Sequence, residues 1–205
     1  MNPEYAQSFE LGYQRYLENG TFLGSFYYRY KTGIVNRITF IEEDGLTRSI
    51  PINLSNGHDF GIELSTNYDI MEWWSFNTNV NAFRSINKGS YEGVNYDSET
   101  FAIQLKATTK FTVVKRLDLQ TSFNYDSPRL TAQGKRKTSY SLDFGASLSV
   151  LKNKGRVTLG VTDIFNTRLR RWINEGENFK IEGDFRWRQP RQVKLSFNYQ
   201  LEKKK

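Results

Sequence analysis

The 205 residues include no cysteine and a single histidine. Without thiols the chain has no disulfide, no thiolate metal centre and no cysteine nucleophile. His58, where a long loop meets a strand beside Asp59, reads as a solvated loop residue rather than a general base. No serine stands in a motif that supports a hydrolytic triad, so no catalytic residue, metal or cofactor is expected. Long hydrophobic runs are absent too: no stretch approaches 18 consecutive apolar residues, which excludes a transmembrane helix. The opening Met1-Asn2-Pro3-Glu4 lacks the basic start, apolar run and cleavage site of a secretory leader.

The net charge of +7 collects at loops and ends, in Lys135-Arg136-Lys137, in Arg168, Arg170 and Arg171, and in Lys203-Lys204-Lys205. Such placement reads as solvated surface, and no nucleic acid is expected as a partner. Glu42-Glu43-Asp44-Gly45 and Asn174-Glu175-Gly176-Glu177-Asn178 lack the alternate-ligand spacing of a calcium loop and read as hairpin tips.

What the chain does have is aromatics, at 15%, and strict alternation of apolar with polar residues. From His58 to Met71, Phe60, Ile62, Leu64, Thr66, Tyr68 and Ile70 share one parity, while Asp59, Glu63, Ser65, Asn67 and Asp69 take the other. A period of two marks a strand with one face in an apolar medium and one in a polar medium. The same pattern predicts strands over Ser8–Tyr16, Thr21–Thr32, His58–Ile70, Trp74–Ser85, Phe101–Val113, Leu117–Tyr125, Tyr140–Val150, Arg156–Thr167 and Gln192–Leu201. Most are long enough to cross a bilayer at a tilt. A barrel strand gives only alternate residues to lipid, so a hydrophobic fraction of 38% is no obstacle.

Connections alternate as regularly. Leu17–Gly20, Met71–Trp73, Val114–Arg116 and Leu151–Gly155 are short; Gly33–Gly57, Ile86–Thr100, Asp126–Ser139 and Arg168–Arg191 are long. Short turns at one rim and long loops at the other are the outer-membrane pattern. Ile34–Phe40 and Ile50–Ile52 read as a hairpin running on above the membrane, and Phe179, Ile181, Phe185 and Trp187 as a strand-like extension of the last hairpin. The fold expected is therefore all-β: an antiparallel meander of about eight to ten strands forming a transmembrane β-barrel wall, part of a larger barrel.

Phe22, Phe26, Phe60, Ile62, Leu64, Val80, Leu105, Leu142, Leu159 and Leu195 are assigned to lipid, and Asn77, Asn79, Asn81, Gln104, Lys106, Asp118 and Asp143 to the lumen. Tyr13, Tyr16, Trp73 and Trp74, beside short turns, are candidates for an interfacial aromatic belt. Arg168, Arg170, Arg171, Trp172, Arg186 and Trp187 are the loop residues best suited to touch a ligand, since arginine and aromatics dominate recognition surfaces. Asp163 is expected to face the lumen or cap a bend.

Three segments carry a family likeness. Asn2-Pro3-Glu4 followed by Phe9-Glu10-Leu11-Gly12-Tyr13, the run Asp163-Ile164-Phe165-Asn166-Thr167, and Arg191–Tyr199 resemble stretches of TonB-dependent outer-membrane receptors, the last especially the Bacteroidetes-type outer-membrane β-barrel family. The resemblance implies a barrel of about 22 strands with an N-terminal plug, importing siderophores, cobalamin or glycans, with TonB and in some relatives a surface lipoprotein as partners. Residues 1–205 would then be a single segment, the C-terminal part of such a barrel, with the plug and the TonB-contacting part outside this sequence, placed in the outer membrane against lipid and lipopolysaccharide. Alternation also fits a complete small barrel with a structural or adhesin role, or a soluble β-sandwich or lipocalin-like binding module. Two stacked layers hiding Phe60, Leu142 and Leu195 would mark the sandwich.

Overall fold

The computed structural model describes residues 1–42, 44–176, 178–186 and 191–201, Arg186 by its backbone alone. The strands are β1 (Tyr5–Leu17), β2 (Gly20–Ile41), β3 (Thr47–Met71), β4 (Trp74–Tyr91), β5 (Val94–Asn95), β6 (Ser98–Val114), β7 (Leu117–Asp126), β8 (Arg129–Thr131), β9 (Gly134–Arg136), β10 (Ser139–Val150), β11 (Gly155–Thr162), β12 (Leu169–Gly176), β13 (Phe179–Arg186) and β14 (Gln192–Tyr199). One sheet runs in the order β1-β2-β3-β4-β6-β7-β10-β11-β14, with β5 attached to β4. Every pairing is antiparallel, and the sheet stays open, with β1 and β14 at its edges. These nine are the strands that the alternation predicts.

Register puts the assigned faces together. Phe26 lies opposite Ile62, Ile62 opposite Ala82, and Ala82 opposite Ile103; farther along, Phe123 faces Leu142, Phe144 faces Val161, and Val161 faces Val193. Directly opposed residues share a face, so one apolar surface crosses the whole sheet. Ile62 keeps 51% and Leu195 72% of their surface open, which a stacked second layer would close. The sandwich reading fails on that exposure.

The apolar band has the right height. On β4 it runs from Trp74 to Arg84, ten residue steps or about 34 Å of strand, which at a tilt of about 40° covers about 26 Å. Arg84 marks its upper border and is ion-paired there with Glu99. Tyr28, Tyr30 and His58 lie on the same parity at that border, with the Tyr28 hydroxyl 2.8 Å from His58 Nδ1.

Above the band, β2 and β3 continue as a tall hairpin. The ladder is irregular between Lys31 and Val35, where Gly33 takes φ +67°, a left-handed conformation that a side chain would strain. Its peptide is held by β3: the Asn53 amide donates to Gly33 O (2.7 Å), and Gly33 N–H donates to Asn56 Oδ1 (3.2 Å). Asn53 also exchanges two bonds with the backbone of Asn2, and Val35 N–H donates to Glu4 Oε2, so the opening Asn-Pro-Glu segment docks on this irregularity. Beyond it the one-residue register shifts turn the strands over, so even-numbered residues of β2 leave the lipid-facing side: Ile38 (0% exposed) and Leu54 are buried with Tyr96, with Phe40, Ile52, Tyr91 and Ala132 around them. Protein, not lipid, covers these side chains.

Two predicted boundaries are corrected. The strand predicted over Arg156–Thr167 stops at Thr162, because Asp163 and Asn166 turn into the left-handed region at φ 51° and 57°. The Phe179–Phe185 stretch does form a strand, but it does not extend the last hairpin: β12 and β13 join β9 and β8 in a separate four-stranded sheet. Trp187 lies outside the described residues.

Candidate functional site

The polar face of the wall is a web of side-chain hydrogen bonds rather than a row of isolated groups. Asn79 donates to Glu63 Oε1 (3.0 Å) and Ser65 Oγ (2.8 Å), and the Tyr27 hydroxyl donates to Asn81 Oδ1 (3.0 Å). Asp59 receives Lys31 Nζ and Ser85 Oγ, each at 2.5 Å. Lys110 (3.1 Å) and the Thr112 hydroxyl (2.8 Å) both reach Asp118. Each polar group meets a partner across a strand, which suits a surface that is partly screened from water.

Near the loop rim this face carries a compact turn. Asp163, 1% exposed, accepts the backbone N–H of Thr167 (2.9 Å), the Thr167 hydroxyl (3.3 Å) and the backbone N–H of Arg168 (3.0 Å). Its own N–H donates to Asp143 Oδ1 (2.8 Å). Aspartate and asparagine tolerate the positive φ at positions 163 and 166 because their short side chains bond locally. The Arg168 guanidinium then ties β10 to the turn through Ser141 Oγ (2.8 Å) and Asp143 Oδ2 (3.1 Å). Asp163 thus caps a bend, one of the two roles expected of it, and Arg168 is held as a structural tie.

The four-stranded sheet stands over this rim. Opposed residues place Arg129, Arg136 and Trp172 in one row across β8, β9 and β12, with Arg170 two residues along and opposite Phe185. The Trp172 indole lies across Gly183, where even a methyl group would sit 2.4 Å from the ring. The sheet is anchored to the tall hairpin by Gln133, in the turn between β8 and β9. Thr39 N–H donates to Gln133 Oε1 (2.7 Å) and Gln133 Nε2 donates to Thr39 O (2.9 Å). β1 flanks β2 only as far as Thr32, so this amide takes up backbone groups as a neighbouring strand would.

Between these parts lies a cavity of about 740 Å³. One wall is the row just described; the other is β2 through Val35, Asn36 and Arg37; Asp126 and Ser139 form the floor. A second cavity of about 400 Å³ shares Asp126, Ser139 and Arg170 with it and continues to Ser141 and Arg168. Asp126 and Ser139 face each other in register on the polar side of the wall, so the paired cavities open over the lumenal face.

Of the residues singled out in the sequence, Arg170, Arg171 and Trp172 border the larger cavity and Arg168 the smaller. Arg171 takes the opposite parity to Arg170 and donates to Thr138 O (3.4 Å). The Arg186 side chain and Trp187 lie outside the described residues. Trp73 and Trp74 stack beside Phe111 at the short-turn rim, ring centroids 6.1 and 5.6 Å from it, and Trp74 Nε1 donates to Thr109 Oγ1. Tyr13, opposite Gly24, takes the apolar parity of β1; Tyr16, opposite Thr21, takes the polar one. His58 has tyrosines for neighbours, its ring 4.9 Å from that of Tyr30. No group of three or more metal-ligating side chains occurs among the described residues.

A profile of the outer membrane protein beta-barrel family matches residues 1–199. The chain belongs to that family. Its solved likenesses include the ferric yersiniabactin uptake receptor FyuA from Yersinia pestis, at TM-score 0.67 and 15% identity over 95% of this chain. Another is the FrpB iron transporter from Neisseria meningitidis, at TM-score 0.63 and 15% identity over 96%. This chain spans 29% and 30% of their lengths. At that identity the likeness shows the fold. A search of curated proteins finds no match. The nine strands β1 to β14 of the main path are an outer-membrane β-barrel wall, and the sheet is not closed.

Sequence reading missed Arg37, Arg129, Arg136 and Gln133 as parts of the same site. A hairpin reading of Arg129–Arg136 about Ala132-Gln133 would have set the two arginines face to face; treating Lys135-Arg136-Lys137 as a solvated run concealed it.

Proposed function

We propose that this chain is the C-terminal part of the barrel of a TonB-dependent receptor, taking up a nutrient of the siderophore, cobalamin or glycan class across the outer membrane. The observation that carries the reading is the pair of cavities at the loop rim, which open over a hydrogen-bonded polar face. A ligand held there lies at the head of the lumen. The names of the two solved likenesses, an uptake receptor and an iron transporter, point the same way.

In this reading Arg170 and Trp172 contact the ligand from one face of β12, with Arg171 at the border of the cavity, while Arg168 keeps the turn beneath them in shape. Trp73, Trp74 and Tyr13 sit in the membrane interface at the short-turn rim, and Tyr16 flanks the same rim. The remaining barrel strands, a plug and TonB complete the machine, with a surface lipoprotein above it and lipopolysaccharide around it. The chain's part is passive: it binds and bounds a path and leaves the chemistry of its cargo unchanged.

Fractionation and uptake test this together. The intact protein should be recovered in the outer membrane, and deleting its gene should abolish growth on one iron, cobalamin or glycan source, with the same loss when TonB is deleted. Recovery in the soluble fraction, or a growth phenotype indifferent to TonB, would refute the reading.

A further inference from the structure

The larger cavity at the loop rim is strongly basic. Among the described residues that line it, lysines and arginines outnumber the single carboxylate, Asp126, by seven to one. Arg129 and Arg136 stand directly opposite each other on β8 and β9, an arrangement that destabilises a strand pair unless something lies between the charges. Arg129 has Asp126 at 3.5 Å, and Lys137 has Glu182 at 3.3 Å, but Arg37 and Arg136 form no ion pair with any described residue. Gln133 brings these groups together from distant parts of the chain, holding the β8–β9 turn against Thr39 so that Arg37 on β2 borders the same cavity as the row on β8 and β9. Converging cations in a preformed concavity, walled by Trp172 and Phe185, are the makings of an anion site.

We infer that this cavity binds a soluble small polyanion, one carrying two or more carboxylate or phosphate groups, with Arg37, Arg129 and Arg136 as its principal contacts and Trp172 packing against its body. This rests on the receptor reading and narrows it to an anionic cargo. The side of the wall decides against lipopolysaccharide as the source of those anions: the floor residues Asp126 and Ser139 lie on the polar face, whereas lipid covers the opposite one.

The test uses the intact protein purified from outer membranes, with inorganic tripolyphosphate and propane-1,2,3-tricarboxylate as probes, and acetate, maltose and vesicles bearing lipopolysaccharide as comparisons. Titration followed by tryptophan fluorescence should show saturable binding of both polyanions, weakening as salt rises. Acetate and maltose should bind at least about tenfold more weakly. Arg136→Gln and the exposed Arg37→Gln should each weaken polyanion binding by at least about tenfold, the loss of one charge-assisted hydrogen bond; Arg136→Lys should recover part of it. Arg37→Gln leaves the β8–β9 pairing intact, so it reads the site even if Arg136→Gln disturbs the fold. Equal binding of maltose, indifference to both glutamine variants, or a preference for lipopolysaccharide vesicles would overturn the proposal. Absence of the protein from the outer membrane would overturn the receptor reading and this proposal with it; a membrane-inserted protein that ignores both polyanions overturns the proposal alone.

Discussion

Val80 offers the sharpest probe of the wall. It lies near the middle of the stretch between Trp74 and Arg84 on the apolar parity of β4, opposite Leu64 on one side and Leu105 on the other. Arginine there places a cation near the bilayer midplane with apolar neighbours on both flanks, at a cost of about 2–4 kcal/mol. Ile86→Arg, beyond the native Arg84–Glu99 pair, sits in the headgroup region and should cost about 0–1 kcal/mol. Ser147→Arg, on the polar parity of β10, loses one hydroxyl contact to Thr158 at 3.3 Å and should stay within about 1 kcal/mol. Leu142→Arg, two residues toward the loop rim from Phe144 at the middle of its strand, should fall between the first two. The assay is urea unfolding of the intact protein in phospholipid vesicles, read by tryptophan fluorescence and by heat-dependent gel mobility. A cost at Ser147 equal to that at Val80, or no decline from Val80 to Ile86, would refute the lipid-facing assignment and the band height.

Three further outcomes are expected. Asp163→Ala removes three bonds to the turn and should destabilise the protein by at least about 2 kcal/mol in the same urea titration, with Asp163→Asn milder because its carbonyl still accepts. Gln133→Leu strands the peptide groups of Thr39, at a local cost of about 1–3 kcal/mol, and should speed hydrogen exchange of the Thr39 amide at least about tenfold. The hydrogen bond and charge of Lys137 hold the Glu182 carboxyl below its ordinary range. A depressed native value means the pair supports the four-stranded sheet above the ordinary carboxylate range and loses that support as pH falls through the native value. The protection factor of the Lys137 amide, bonded to Arg171 O at 2.8 Å and referred to the intrinsic exchange rate at each pH, should therefore fall on acidification, and Glu182→Gln should abolish that fall.

The wall was legible because a membrane imposes one rule on every strand: alternate residues meet lipid. From Phe26 through Ile62 to Ile103 that rule holds on strands far apart in the chain. Above the band no such rule acts. Ile38 and Leu54 share the numerical parity of lipid-facing residues, but the register shifts between Lys31 and Val35 turn the strands over and bury them with Tyr96 and its neighbours, which no periodicity announces. The segment Asp163–Thr167 reads as a continuation of β11 by composition, and only the local bonds of an aspartate in a left-handed conformation end the strand there. β13 is legible as a strand but not its place, since alternation identifies a strand without naming its neighbour, and β12, which lies within the long connection Arg168–Arg191, shows no alternation that would reveal it. The arginines of the cavity were visible one by one; their convergence depends on Gln133 meeting Thr39, 94 residues away.

That meeting has a mechanical side. Gln133 sits between β7 and β10, so its grip on β2 spans β3, β4, β6 and β7 as a chord spans an arc. Flexing that widened the curve would have to stretch two short hydrogen bonds at the upper rim. The hairpins of the lower rim link only adjacent strands, so among the described residues the long-span brace of this wall belongs to the rim that carries the arginines.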